Sequence, residues 1–305
     1  MFKKLLLAAV LCHAFSASAL PFSSQHALVF EEESGRVLLE KDAHAIVPIA
    51  SVTKLMTAMV VLDAKLDMDE PITIEQADVD TFKFSSSRVP VGAVLPRKAM
   101  LQLALMSSDN RAAAALARTY PGGNAGFVEA VRAKLVSLDM QHTSIEEPTG
   151  LSPHNRSTAA DLVKMATAAS YYPEISRITT ETGDLIDING HPVQYLNTNR
   201  LVGRKGWDIL LSKTGFTREA GRCLVMRLQS AGKHVIVVLL NAKEGAARLL
   251  DAENVQRFLA GEPVFAAKSA PPLKVAAHRT KKSRGATVQA KSRGVMKAQK
   301  KVGIR

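Results

Sequence analysis

The spacing of apolar residues divides this chain into segments of different period. Residues 27–30 and 37–40 are short apolar runs on either side of Ser34-Gly35, a turn signal, and they predict a hairpin. After Pro48 the pattern becomes helical, and residues 50–64 carry Leu55, Met56, Met59, Val60 and Leu62 on an apolar face. Residues 67–97 alternate acidic, polar and β-prone groups with several turns. Helices are predicted over 98–106, over the Ala-rich stretch 110–119 stopped by Pro121-Gly122-Gly123, and over 125–138. Thr158 and Asp161 form a capping-box pattern that opens a helix through about residue 169. The pattern then changes to strands. Residues 208–212 run into Lys213-Thr214-Gly215, and 222–228 and 234–241 flank Ser230-Ala231-Gly232, a hairpin turn. Residues 245–259 close as a helix. Hairpin, helices, hairpin, helix predicts an α+β fold, with an antiparallel sheet drawn from both ends of the domain, flanked by helices, and a helical lobe from its middle.

Charge changes this picture only at the ends. Twelve of the 40 Lys and Arg residues fall in 268–305, which holds no acid, and the other 28 balance 28 Asp and Glu. The formal charge of +12 is therefore a property of a tail, and the domain itself is near neutral. The tail, 263–305, has no sustained apolar period and no aromatic after Phe265, a composition expected to be disordered in isolation. At the other end, Lys3 and Lys4 precede a short apolar run, and Ala17-Ser18-Ala19 has the small-x-small pattern of a signal-peptidase site. Residues 1–19 are thus expected to be a cleaved signal peptide, leaving a domain over 20–262 in a periplasmic, exported protein. Cys223 is then the one remaining cysteine, which excludes an intramolecular disulfide and reads as a buried strand thiol.

Three short motifs carry candidate chemistry. In Ser51-Val52-Thr53-Lys54 the first and last residues lie one helical turn apart, so the amine can reach the hydroxyl. Lys54 can act as a base if burial or a neighbouring cation lowers its pKa, and Lys213 is the candidate cation. The backbone N–H of Ser51, near a helix N-terminus, can face a developing oxyanion. In Ser108-Asp109-Asn110 the hydroxyl can shuttle a proton and the Asn110 amide can bond a substrate peptide, although all three are also ordinary capping residues. Lys213-Thr214-Gly215, at the end of an apolar strand run, supplies an ammonium and a hydroxyl for a carboxylate. Gly215 leaves room for a substrate backbone along the strand edge, and the N–H of Phe216 completes an oxyanion hole. No single motif is decisive. Ser230-Ala231-Gly232-Lys233 repeats the first pattern in a hairpin turn where the pair is not expected to meet, and Tyr195-x-Asn197 mimics the second from the wrong side of the helical segment. No metal or organic cofactor is needed to complete the set, and the scattered histidines lack metal-ligand spacing.

The three motifs in this order are the signature of active-site-serine, penicillin-binding acyl enzymes. The stretch from Pro48 to Ala58 resembles the nucleophile region of the D-alanyl-D-alanine carboxypeptidase/endopeptidase family, the low-molecular-weight penicillin-binding proteins. The stretch from Leu105 to Ala113, together with Tyr120-Pro121-Gly122-Gly123, is similar to the endopeptidase branch. Glu147-Pro148-Thr149-Gly150-Leu151 and residues 211–225 continue the likeness, which covers roughly 25–260. The resemblance implies the serine β-lactamase/transpeptidase fold, with Ser51 as the acylated nucleophile, Lys54 as its base, Ser108 as proton relay and Asn110 as a substrate ligand. It further implies Lys213 and Thr214 as carboxylate ligands, the Ser51 and Phe216 amides as oxyanion donors, and β-lactams as covalent inhibitors. The implied partners are peptidoglycan stem peptides and cross-links.

Other readings remain beside it. A carboxypeptidase shares all three motifs. A class A β-lactamase needs a carboxylate for its deacylating water, and Glu146-Glu147-Pro148 lacks the Glu-x-x-x-Asn spacing. A non-catalytic cell-wall binding protein is opposed by intact Ser51, Lys54 and Ser108. For the tail, export and missing aromatics argue against nucleic acid and favour anionic envelope components, or no partner at all.

Overall fold

The structure, a computed structural model, describes residues 22–264. The expected signal peptide, and all of the basic tail but residues 263 and 264, lie outside them. Strands β1 (His26–Glu31), β2 (Arg36–Lys41) and the short β3 (Val47–Pro48) lead to a 3-10 turn, Ala50–Thr53, and helix α1 (Lys54–Asp63). A small two-stranded sheet, β4 (Pro71–Thr73) with β5 (Val94–Pro96), precedes helices α2 (Arg97–Gln102), α3 (Asn110–Arg118) and α4 (Gly123–Ser137). Then come β6 (Arg156–Ser157), α5 (Ala159–Ala169), α6 (Pro173–Thr180) and the hairpin β7 (Gly183–Ile188)–β8 (His191–Leu196). The chain closes with β9 (Asp208–Thr217), β10 (Gly221–Ser230), β11 (Lys233–Ala242) and α7 (Gly245–Leu259).

The main sheet has the order β2-β1-β11-β10-β9 with antiparallel neighbours, so the N-terminal hairpin docks on the C-terminal meander as predicted. Strand periodicity sorts its residues onto two cores. Val235, Val237 and Leu239 join Ala27, Val29, Leu224 and Met226 under α7, against Ala252 and Val255. The intervening Ile236, Val238 and Leu240, with Leu28 and Val225, face the helical lobe. At the lobe's centre lies α1, packed by α3, α4, α5 and α6 and buried from Lys54 through Val61. It is therefore buried all round rather than on one face.

Several boundaries differ from expectation for physical reasons. The predicted helix 98–106 is α-helical only to Gln102, after which Leu103–Ser107 widens into a π-turn. The Leu103 carbonyl draws the chain round, accepting from the Ser107 hydroxyl and from the N–H groups of Ser108 and Asp109. Of the capping box only half forms. The Thr158 hydroxyl oxygen accepts from the Asp161 N–H, but the Asp161 carboxylate turns to the His142 N–H and Thr143 hydroxyl. Sequence reading also passed over α6, despite Pro173 at its first turn, and the β7–β8 hairpin. Asn189 and Gly190, both at positive φ, form that hairpin's turn, a signal that was available. Among the described residues, no helix is long and apolar enough to cross a membrane.

Candidate active site

Ser51 and Lys54 are positioned by the joint between the 3-10 turn and α1. The chain enters through Ala50 at φ 48°, a backbone region costly for a side-chain residue. Two glycines make the space this entry needs. A Cβ on Gly150 (φ +83°) would fall on the Ala50 carbonyl, and one on Gly215 would lie 2.8 Å from the Ile49 oxygen and 3.1 Å from the Ser51 nitrogen. Gly215 is therefore small because the sheet presses on the serine turn. This differs from the expected reason, room for a substrate on the strand edge. The same approach sets the Ser51 backbone beside Gly215 of β9.

Lys54 is 1% exposed. Its amine lies 3.1 Å from the Ser51 Oγ and also donates to the Asn110 Oδ1 at 2.6 Å and the Thr149 carbonyl at 2.7 Å. An ammonium has three N–H groups, and three acceptors meet them. Burial lowers its pKa to about 8, against an upward pull from the Glu147 and Asp109 carboxylates. That shift corresponds to roughly 3 kcal/mol in favour of the neutral amine. The cause is burial; the group that feels a neighbouring cation is Lys213. Its amine, likewise 1% exposed, is driven well below the lysine range by burial first, then by Lys54 and by Arg248. Its hydrogen bond goes to the Thr214 carbonyl at 3.1 Å. Lys54, Lys213 and Arg248 thus converge on one end of the site, and an anion bound beside Thr214 would favour the charged form of Lys213.

The Thr149 carbonyl is held in place by Glu147, which accepts from the N–H groups of Thr149 (2.7 Å), Gly150 (2.7 Å) and Ser152 (3.2 Å) and from the Asn155 amide (2.9 Å). Asn155 ties this loop to the Thr53 hydroxyl, and Thr57 donates to the Pro148 carbonyl at 2.8 Å. The serine turn and the loop are thus one hydrogen-bonded unit. The geometry supplies a hydroxyl, an amine of suitable basicity beside it, and a second buried amine, Lys213, on the facing strand.

The family profile described as D-alanyl-D-alanine carboxypeptidase, peptidase S11, matches residues 13–244. The chain belongs to this family. It is a serine DD-peptidase. A D-alanyl-D-alanine endopeptidase of Pseudomonas aeruginosa is 46% identical to it over 240 residues, covering 78% of this chain and 77% of the relative. One from Escherichia coli is 40% identical over 279 residues, covering 91% and 88%. The crystal structure of the Streptomyces K15 DD-transpeptidase superposes with a TM-score of 0.73 at 25% identity, covering 79% of this chain and 98% of that one.

Within this DD-peptidase the predicted site residues are not equally engaged. Asn110 joins Lys54 directly and donates to the Ser85 hydroxyl at 2.8 Å. Ser108, left-handed at φ 62°, makes no hydrogen bond to Ser51 or Lys54. The capping reading of this motif belongs to Asp109 alone, whose carboxylate accepts from Ala112 N–H at 3.0 Å and from the Ser87 hydroxyl at 2.7 Å. Lys213, Thr214 and Gly215 lie within β9, not at its end, and β9 is an edge strand of the sheet. Phe216 follows, 54% exposed, with the Arg222 guanidinium 4.6 Å from its ring centroid. Sequence reasoning missed Glu147 and Asn155 as organisers, Thr149 as an acceptor for Lys54, and Thr198. The Thr198 hydroxyl meets the Thr214 hydroxyl at 2.7 Å, and its N–H donates to the Met106 carbonyl, so it bridges the Ser108 loop and β9. The Tyr195-x-Asn197 mimic is structural. Tyr195 is buried, and the Asn197 amide donates to the Thr179 and Glu181 carbonyls.

Proposed function

We propose that this serine DD-peptidase is an endopeptidase that cuts D-Ala–diaminopimelate cross-links of peptidoglycan in the periplasm. The observation that carries the proposal is the Lys54 amine 3.1 Å from the Ser51 Oγ with a pKa lowered to about 8. Neutral Lys54 takes the hydroxyl proton as the Ser51 oxygen attacks the D-Ala carbonyl. The oxyanion faces the N–H groups of Ser51 and Phe216. The C–N bond breaks, and the proton returns to the leaving amine through Lys54 and Ser108, leaving an ester on Ser51 that water hydrolyses. Asn110 positions the donor peptide.

In a cross-link the leaving amine sits on a carbon that also carries a free carboxylate. Lys213 and Thr214 bind it, and the convergence of Lys213 with Lys54 and Arg248, whose mutual repulsion an anion would relieve, supports that assignment. A terminal D-Ala presents the same carboxylate at the same distance, so carboxypeptidase cleavage is the second reading. The endopeptidase choice rests on the two relatives of 40% identity and above. Penicillins acylate Ser51 by the same route. The Glu147 carboxylate is taken up by its own loop, which supports slow release of the penicilloyl group. In this proposal residues 1–19 are the export signal, 20–262 the catalytic domain, and 263–305 a basic tail that contacts anionic envelope components.

Mass spectrometry of a purified muropeptide dimer and of a pentapeptide, each treated with the wild type and with Ser51→Ala, tests the reading. Conversion of dimer to monomers by the wild type alone is expected. Loss of the terminal D-Ala from the pentapeptide with the dimer left intact would make the enzyme a carboxypeptidase.

A further inference from the structure

The assignments along β9 give the substrate a direction. The acceptor's carboxylate is assigned to Lys213 and Thr214, and the D-Ala carbonyl to the N–H of Phe216, which follows them on the same edge strand. The donor stem therefore continues past Phe216, towards Thr217 and the turn of residues 218–220 that leads into β10. The residue joined to the D-Ala nitrogen is the donor's own diaminopimelate. In an extended chain it lies about 3.4 Å further along, at the level of Thr217, and its side chain can reach the turn.

That end of the cleft carries an ion pair between distant parts of the chain. The Lys83 amine pairs with the Glu219 carboxylate, in the middle of the turn, across 136 positions. The two side chains are 19% and 44% exposed, so a ligand can reach both. The hydrogen bond from Lys83 lowers the Glu219 pKa to about 2, and the carboxylate is charged throughout the neutral range. Lys83 belongs to a segment fixed to the second motif. Asp80 accepts from the N–H groups of Phe82, Lys83 and Ser85, the Ser85 hydroxyl accepts from the Asn110 amide, and the Ser87 hydroxyl donates to Asp109. Contacts thus run in a closed ring. Ser51 meets Lys54, Lys54 meets Asn110, and Asn110 meets Ser85; the ring passes through Lys83 to Glu219 and returns along β9 to Gly215, which presses on the Ser51 nitrogen. The ion pair is therefore part of the rim of the cleft that holds the nucleophile.

We propose that the Lys83–Glu219 pair recognises the free end of the donor's diamino acid, Lys83 taking its carboxylate and Glu219 its ammonium. The assignment rests on the endopeptidase reading above and names a part of the substrate that the three motifs do not hold. In a cross-link the acceptor's side-chain amine is consumed in the bond, whereas the donor keeps amine and carboxylate together on one carbon. That zwitterion can lie against the ion pair with each charge facing its opposite, and neither protein side chain has to give up its partner. A lysine donor lacks the carboxylate and an acetylated donor lacks the ammonium, so the two halves of the contact are separable.

Titration calorimetry on full-length Ser51→Ala protein tests the proposal with three synthetic cross-linked peptides, whose donor residue is diaminopimelate, its side-chain N-acetyl form or lysine. The diaminopimelate peptide is expected to bind about five-fold more tightly than either analogue, the scale of a partly exposed ion pair. Adding Glu219→Gln should bring the ratio against the acetylated peptide to one, and adding Lys83→Gln the ratio against the lysine peptide. Thermal melting checks that each variant is folded. A clasp that only braces the rim would weaken all three peptides alike and leave both ratios where they were. That result overturns the proposal, as does a ratio of one for either analogue before the second substitution. Failure of the wild type to cut the diaminopimelate peptide while the ratios hold would sink the endopeptidase reading and leave this subsite standing.

Discussion

The chain carries Ser-x-x-Lys twice, and the two pairs come to rest in opposite physical settings. Ser230 and Lys233 are register partners across a two-residue turn, Ala231-Gly232, with φ of 49° and 77°. Cross-strand partners share a face, yet the Lys233 amine turns to Glu31 and not to Ser230. The Lys233 side chain is 53% exposed and its amine pairs with Glu31. Ser51 and Lys54 share a helical turn, but Lys54 is 1% exposed and its amine meets a hydroxyl, an amide oxygen and a carbonyl. Sequence spacing is common to both pairs. What separates them is dehydration: in water an amine near a hydroxyl keeps its proton, and in the core of the lobe that proton is held less firmly.

The sharpest way to break this comparison is to remove each serine. Ser51→Ala should abolish the covalent penicilloyl adduct seen by intact-protein mass spectrometry and lower dimer cleavage by ~10⁴-fold or more. Ser230→Ala should retain the adduct in full. Next comes the amine. Lys54→Ala should slow acylation by roughly 10²–10⁴-fold. In the wild type the acylation rate should climb as pH rises and level off above about 8, because the neutral amine is the active form. A rate that falls with rising pH would contradict Lys54 as base.

Glu147→Gln probes the electrostatics behind that value. The carboxylate raises the Lys54 pKa, so its loss should move the inflection of the pH–rate profile below 8. It also weakens the loop's hydrogen bonds, and urea denaturation should find the variant less stable by about 2 kcal/mol. A smaller effect is expected at Thr198. Its hydroxyl accepts from Thr214 and so fixes the rotamer of the hydroxyl assigned to the substrate carboxylate. Thr198→Val should cost about five-fold in kcat/KM for a carboxylate substrate and little for the carboxamide, with Thr198→Ser restoring activity. The smallest effect belongs to Lys233→Ala, expected within about two-fold of wild type in acylation.

The site and fold were legible in the sequence to different depths. The helix at Gly245–Leu259 and the hairpin of β10 and β11 follow from local periodicity and turn residues, and they formed over nearly the expected spans. Asn189-Gly190 carried a hairpin signal of the same kind and went unused. The π-turn before Ser108 had no local signature, because one carbonyl, that of Leu103, gathers three donors only once the chain is packed. The sequence offers Glu147 as a β-lactamase carboxylate with the wrong spacing and as the start of the family-like segment Glu147–Leu151. Its service to four residues of its own neighbourhood depends on how that loop closes over the serine turn.

By itself the sequence determined which chemical groups are present and which are local neighbours, because a helical turn or a strand period is set by covalent spacing. It placed Ser51 one turn from Lys54 and set Lys213-Thr214-Gly215 in a strand segment. Only the tertiary structure decided that β9 lies at a sheet edge against Ala50 and Ser51, that Asn110 and Thr149 close on the Lys54 amine, and that Lys83 meets Glu219 beyond the end of β9. Those facts depend on water being excluded and on contacts between residues as much as 166 positions apart, as between Ile49–Ser51 and Gly215. Removing water around Lys54 is what changes its basicity, and that requires the whole lobe to pack.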